Sequence, residues 1–124
     1  MANPNLNSAT NVYLNNAFVR LTSTSETQVL SNAASSGKAF LVDSIVASNV
    51  DGTNAADVTI NLYAAATNSG TATKVAHVIT VPAKATLIVV SKDFGLSLLE
   101  SQSIYATASA SNAIHVTAYW KELS

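Results

Sequence analysis

Ser48 to Tyr63 reads SNVDGTNAADVTINLY, and this stretch decides the fold because two patterns meet in it. Its first half gathers Asp51, Asn54 and Asp57 around Gly52, as a calcium-binding loop would. Its second half alternates, with Val58, Ile60 and Leu62 on one face and Asp57, Thr59 and Asn61 on the other. Strict alternation is the mark of a half-buried strand. An EF-hand loop needs oxygen ligands at alternate positions, glycine at the sixth and a bidentate glutamate at the twelfth. Here the acids stand six apart, the glycine directly follows Asp51, and no glutamate closes the set. The segment therefore reads as a turn that feeds a strand. In that reading Asp51-Gly52 supplies a positive φ, and Thr53 and Asn54 bond to nearby backbone.

The pattern on either side is β as well. Ala39 to Asn49 (AFLVDSIVASN) carries Phe, Val and Ile on both faces, as a central strand does. Lys74 to Val81 sets Val75, His77, Ile79 and Val81 on one face, which predicts a hydrogen-bonded core position for His77. Pro82 ends that strand because it has no N–H for a ladder, and Pro82-Ala83-Lys84 turns the chain. Thr86 to Ser91 returns, and Lys92-Asp93-Phe94-Gly95 turns again. Ile104, Ala106, Ala108 and Ala110 then alternate with Tyr105, Thr107 and Ser109, and Val116, Ala118 and Trp120 with His115, Thr117 and Tyr119. Only Ser25 to Ala34 and Leu96 to Ser101 read as able to hold a helical turn. Seven or eight strands at this spacing predict an all-β fold, a single antiparallel β-sandwich of jelly-roll type. Residues 1–11, polar and Asn-rich, read as an extended N-terminal arm, and residues 12–124 as the sandwich domain. Val12, Leu14, Phe18, Val19 and Leu21 predict that the domain packs from its first strand.

A chain of 124 residues suits one domain able to bury about two-thirds of its unfolded surface. It contains no cysteine, which removes disulfides, thiolate zinc sites and thiol nucleophiles together. Charged residues make up 10%, against about 25% in average proteins. Low charge and small side chains suit closely packed surfaces in an assembly, because free monomers use charge to prevent association. The six basic residues, Arg20, Lys38, Lys74, Lys84, Lys92 and Lys121, are scattered singly. Direct nucleic-acid binding is not expected, since it relies on clustered cations. The start carries no secretory pattern, and apolar runs such as Leu87-Ile88-Val89-Val90 are too short to cross a bilayer. The expectation is a protein assembled inside a cell, with no membrane partner.

No constellation for chemistry stands out. His77 and His115 sit singly, with no carboxylate at ligand spacing. No serine lies in Gly-x-Ser-x-Gly, and four glycines form no phosphate cradle. Paired acids for glycosidic chemistry would have to be drawn from Glu26, Asp43, Asp93 and Glu100, all far apart in sequence. Trp120 alternates with core positions, which favours packing or an intersubunit contact over a sugar platform. Tyr105 and Tyr119 fall on polar faces, as cross-strand partners or interface anchors. The expected set of catalytic, cofactor-binding and metal-binding residues is therefore empty, and the chain reads as not an enzyme.

Two segments carry a family resemblance. "SIVASNVDGTNAADVTINLYAA" and "KVAHVITVPAKATLIVVSKDFGLSLLESQSIYATASASNAIHVTAYWKEL" resemble small virion proteins of tailed bacteriophages, including those of cyanobacterial phages. The likeness is an order of features from about Asp43 onward. A Ser-Asn-x-Asp-Gly-Thr loop leads into a Val-Thr-Ile-x-Leu-Tyr strand, and a His-x-Ile-Thr-Val-Pro-Ala turn precedes a Ser-Ile-Tyr strand and a closing Val-x-Ala-Tyr-Trp strand. The family commonly places Gly-Asp before its Ser-Ile-Tyr strand, where this chain has Glu100-Ser101-Gln102. The resemblance implies a structural protein of the virion, assembled in the host cytoplasm. Its best single form is a capsid decoration (cement) protein that binds the major capsid protein as a homotrimer, without a cofactor. A neck, tail or fibre component and a carbohydrate-binding attachment module are the alternatives.

Overall fold

The computed structural model describes residues 10–124, so most of the expected arm lies outside the described residues. Thr10 and Asn11, its last two residues, extend the sandwich instead: both backbone N–H groups donate to Ser124 O, at 2.7 and 3.0 Å. Nine strands follow: β1 Val12–Arg20, β2 Thr27–Asn32, β3 Ala39–Asn49, β4 Ala56–Tyr63, β5 Thr73–Val81, β6 Thr86–Val90, β7 Ser97–Leu98, β8 Gln102–Ala108 and β9 Ile114–Leu123. A 3-10 turn, Lys92–Phe94, precedes β7.

The strands form two antiparallel sheets, in the orders β1-β9-β3-β6 and β2-β8-β4-β5, with the two-residue β7 added to β3. The chain changes sheet at every connection except β4–β5 and β6–β7. This is the eight-stranded, double Greek-key jelly roll, and the sequence expectation of an all-β sandwich holds. β3 is central, between β9 on one side and β6 with β7 on the other.

The inner faces follow the alternation. Ile45, Ala47, Val116, Ala118 and Trp120 from the first sheet meet Leu30, Val58, Ile60, Ile104 and Ala106 from the second. Trp120 stacks on Phe40 at 5.9 Å between ring centroids. Two buried asparagines tie the ends of this core. Asn32 Nδ2 donates to Lys38 O at 2.8 Å and Leu98 O at 3.3 Å, and its Oδ1 accepts from Ser36 Oγ at 2.6 Å. Asn49 Nδ2 donates to Val81 O at 2.9 Å and Asn54 O at 3.0 Å, and its Oδ1 accepts from Asp51 N at 2.9 Å. A buried carboxamide must satisfy its donors and acceptor or cost about 1–3 kcal/mol, so each of these fixes its loop.

Several sequence expectations are corrected. Ser25 to Ala34 holds β2, and Leu96 to Ser101 holds β7, because the sheets supply cross-strand partners that outweigh a local helical turn. On β1, even-numbered side chains point outward: Val12, Leu14 and Phe18 are exposed, while Ala17 and Val19 pack on the core and Leu21 is fully buried. His77 is exposed, not in the core. The cause is a pair of register shifts between β4 and β5, where Val58 faces Ile79 but Ile60 faces Ala76. Val78 sits at the bulge with φ 49° and donates its N–H to Thr59 Oγ1 at 3.0 Å. An extra residue in one strand reverses the alternation beyond it. Gly52 has no positive φ; Lys84, in the Pro82 turn opposite, takes it at 64°. The turn before β8 does use a left-handed residue, Ser101 at φ 59°, where the glycine of the resembled family would sit without strain.

Candidate interaction surface

Asp51 and Asp57 are already engaged by their own chain. Asp51 Oδ1 accepts from Thr53 N at 2.8 Å and Asn54 N at 3.1 Å. Those backbone donors hold its carboxyl below the usual 3.8. Asp57 Oδ1 accepts from Thr80 Oγ1 at 2.7 Å across the β4–β5 pair. Asn54 joins this corner through its backbone, N to Asp51 and O to Asn49, and its side chain also bonds to the Asp51 carboxylate. Among the described residues no three His, Asp or Glu side chains converge. We expect the melting temperature to be the same with millimolar calcium and with chelator. A calcium-dependent rise that disappears in Asp51→Ala/Asp57→Ala would reverse this reading.

The other candidate residues separate in space. His77 lies on β5 and His115 on β9, in different sheets. Tyr105 on β8 and Tyr119 on β9 are likewise in different sheets, so they are not cross-strand partners. Tyr105 instead meets Tyr63 edge-on at 5.5 Å and donates its hydroxyl to Gln28 Oε1 at 3.1 Å. Asp43 lies 3.8 Å from Lys121 Nζ, Asp93 lies in the 3-10 turn, and Glu100 lies in the turn before β8. Trp120 Nε1 donates to Glu122 Oε2 at 3.3 Å behind its stack on Phe40, so its ring offers no face to a sugar. No pocket opens among the described residues.

Glu26 is the residue that spacing did not reveal. It accepts from Tyr63 Oη and Asn61 Nδ2, each at 2.6 Å, and from Asn68 Nδ2 at 3.1 Å. The loop over residues 64–70 lies on the outer face of β2-β8-β4, where Ser31 Oγ donates to Ala66 O and Ser103 Oγ to Ala65 O, both at 2.7 Å. Burial pushes the Glu26 carboxyl up, but those three side-chain bonds and the charge of Lys74 outweigh it and hold it below 4.5. The bond to Glu26, with burial, raises the Tyr63 hydroxyl. A carboxyl lowered by folding stabilises fully above its unfolded value near 4.5, and loses that contribution as pH falls through its folded value. Glu26→Gln is therefore expected to cost about 1–2 kcal/mol at pH 7 and clearly less at pH 3. Urea midpoints at the two pH values measure this, and an equal loss at both would refute it.

Among the described residues the opposite outer face carries no loop and mixes exposed apolar side chains with polar ones. The pairing register sets Phe18, Thr117, Val46 and Ile88 in one row across β1-β9-β3-β6. Phe18 is 67% exposed, Ile88 64% and Leu14, on the same face, 80%. Tyr119 is also exposed and meets Phe18 edge-on at 6.2 Å between centroids. Four large apolar side chains exposed on one face, set among Asn16, Thr117, Ser48 and Arg20, make it a candidate for contact with another protein. One sheet thus wears a polar, hydrogen-bonded loop while the other leaves Leu14, Phe18, Ile88 and Tyr119 exposed.

No protein-family model matches the chain, and no curated protein matches its sequence. By three-dimensional comparison it is similar to a chain in the acidic stable capsid structure of Helicobacter pylori bacteriophage KHP30. The TM-score is 0.52 at 9% sequence identity, over 94% of this chain and 90% of that one. At that identity the likeness is one of fold, and it extends over nearly the whole of both chains.

Proposed function

We propose that this chain is a non-enzymatic structural protein of a bacteriophage particle. In its most specific form it is a capsid decoration (cement) protein of a cyanophage-like virion. It binds the major capsid protein on the outer head surface, as a homo-oligomer for which the sequence resemblance implies a trimer, and is assembled in the host cytoplasm. The observation that carries this is the set of exposed apolar side chains Leu14, Phe18, Ile88 and Tyr119, with half-buried Val46 between them, on a domain without a pocket among its described residues. Support comes from the sequence resemblance, the 10% charge and a jelly roll shared with a chain from a phage capsid structure.

Mechanistically, the bare sheet face docks on the shell and the loop-covered face meets water. Each contact is modest, and repetition by symmetry makes the whole tight. In this proposal the part of the arm ahead of Thr10 reaches an adjoining capsid subunit, where an extended segment can add to a sheet edge. The test is cryo-electron microscopy of intact particles, with the chain traced on the outer head. Density for it only in the neck, tail or a fibre would replace the cement reading with that alternative. Its absence from particles, together with glycan binding by the isolated domain, would favour attachment.

A further inference from the structure

We propose that β1 is a two-fold contact that joins two copies of this chain edge to edge. The inference stands on backbone geometry and does not rest on the virion reading. If copies also gather around a threefold, it links two such rings.

The direction of the backbone groups comes first. Asn11 and Ser124 exchange both backbone bonds at 3.0 Å, and Leu21 N donates to Ile114 O at 3.0 Å, one at each end of β1. In an antiparallel ladder, bonded residues alternate, so odd-numbered β1 residues aim their N–H and C=O at β9. Even-numbered residues Val12, Leu14, Asn16, Phe18 and Arg20 aim theirs at the free edge. Asn16 N confirms the parity, since it donates to its neighbour's side chain, Asn15 Oδ1, at 2.8 Å rather than to β9. No described strand pairs with that edge.

An unprotected edge of nine residues spans about 30 Å. Proteins that stay monomeric blunt such edges with lysine, proline, a bulge or a short strand. β1 has none of these: its pairing with β9 runs unbroken from Val12 to Arg20, and its only charge is Arg20 at the end.

The sequence VYLNNAFVR is also self-complementary about its centre. Two antiparallel copies paired at Asn16 overlap along all nine residues. Leu14 then faces the partner's Phe18, and Phe18 the partner's Leu14. The two Asn16 carboxamides meet at the axis, and the even-numbered backbone groups of both copies complete their bonds once each Asn16 N–H exchanges Asn15 Oδ1 for the partner's carbonyl. The two Arg20 side chains fall at opposite ends, each beside the partner's Val12, so like charges stay far apart. A contact in which one patch meets itself is isologous and closes at two.

Sedimentation equilibrium of the full chain at about 100 μM, near the weak end of specific association, should show an assembly whose mass halves in Asn16→Pro. That substitution removes an edge-facing N–H and spares the β9 ladder, so the circular dichroism should be unchanged. Asn16→Cys, in a chain with no other cysteine, should give a covalent dimer with a short bis-maleimide, whereas Ile88→Cys near the other edge should not. A monomeric wild type, or an assembly unchanged by Asn16→Pro with no cross-link through Asn16→Cys, overturns the proposal. A chain that associates only after residues 1–9 are deleted overturns it too, because its own segment would then occupy the edge.

Discussion

Trp120→Ala is expected to lower the unfolding free energy by about 3–5 kcal/mol, the range for truncating a buried aromatic. Trp120 is fixed by its stack on Phe40 and by the bond from Nε1 to Glu122. Removing it leaves a cavity between the sheets and takes one donor from a Glu122 carboxylate also held by Asn15 and Lys38. Total stabilities of 5–15 kcal/mol are typical, so this single change should bring the domain close to unfolding at 37 °C. Because Trp120 is the only tryptophan, the variant has to be followed by circular dichroism rather than indole fluorescence. Trp120→Phe keeps most of the volume and should cost about half as much. A loss below about 1 kcal/mol for Trp120→Ala would mean that the ring is not part of the core.

The second large effect is on assembly rather than stability. Phe18→Asp and Ile88→Asp each place a charge on the bare face of the first sheet while leaving the core untouched. Unfolding free energy should change by no more than about 0.5 kcal/mol, as for other exposed positions. Binding to particles lacking this protein should fall by at least about 30-fold for each, the size expected for a buried anchor. Co-sedimentation with such particles measures it. Full binding by both variants would show that this face is not the one that docks, and would remove the main support for the proposed role.

β4, β8 and β9 are legible in the sequence because apolar and polar residues alternate along them, and β3 because it is a long run with apolar residues on both faces. The opening stretch is legible as a loop into a strand because Val58, Ile60 and Leu62 alternate with polar residues, and β4 forms there. What stayed hidden depends on partners distant in the chain. The bulge at Val78 is one extra residue against β4, and nothing local distinguishes it from a regular strand. Asn32 and Asn49 look like surface asparagines until the loops that wrap them are in place. Glu26 gains its role from Asn61, Tyr63 and Asn68, more than thirty positions away. The apolar residues of β1 were legible as apolar, but only the register with β9 shows that Leu14 and Phe18 face outward.

The free edge of β1 has a counterpart across the same sheet, and the two differ in kind. β6 has only five residues, its pairing with β3 is interrupted by a register shift, and Lys84 and Lys92 bracket it. In the other sheet, the β5 edge carries two shifts and a left-handed residue at Val78. Sheets grow into fibres only when both edges accept a further strand. Among the described residues one edge of this sheet is open and its opposite is blunted, so strand addition stops once β1 is used. The architecture favours finite assemblies over filaments, which suits a chain with only 10% charged residues to keep copies apart.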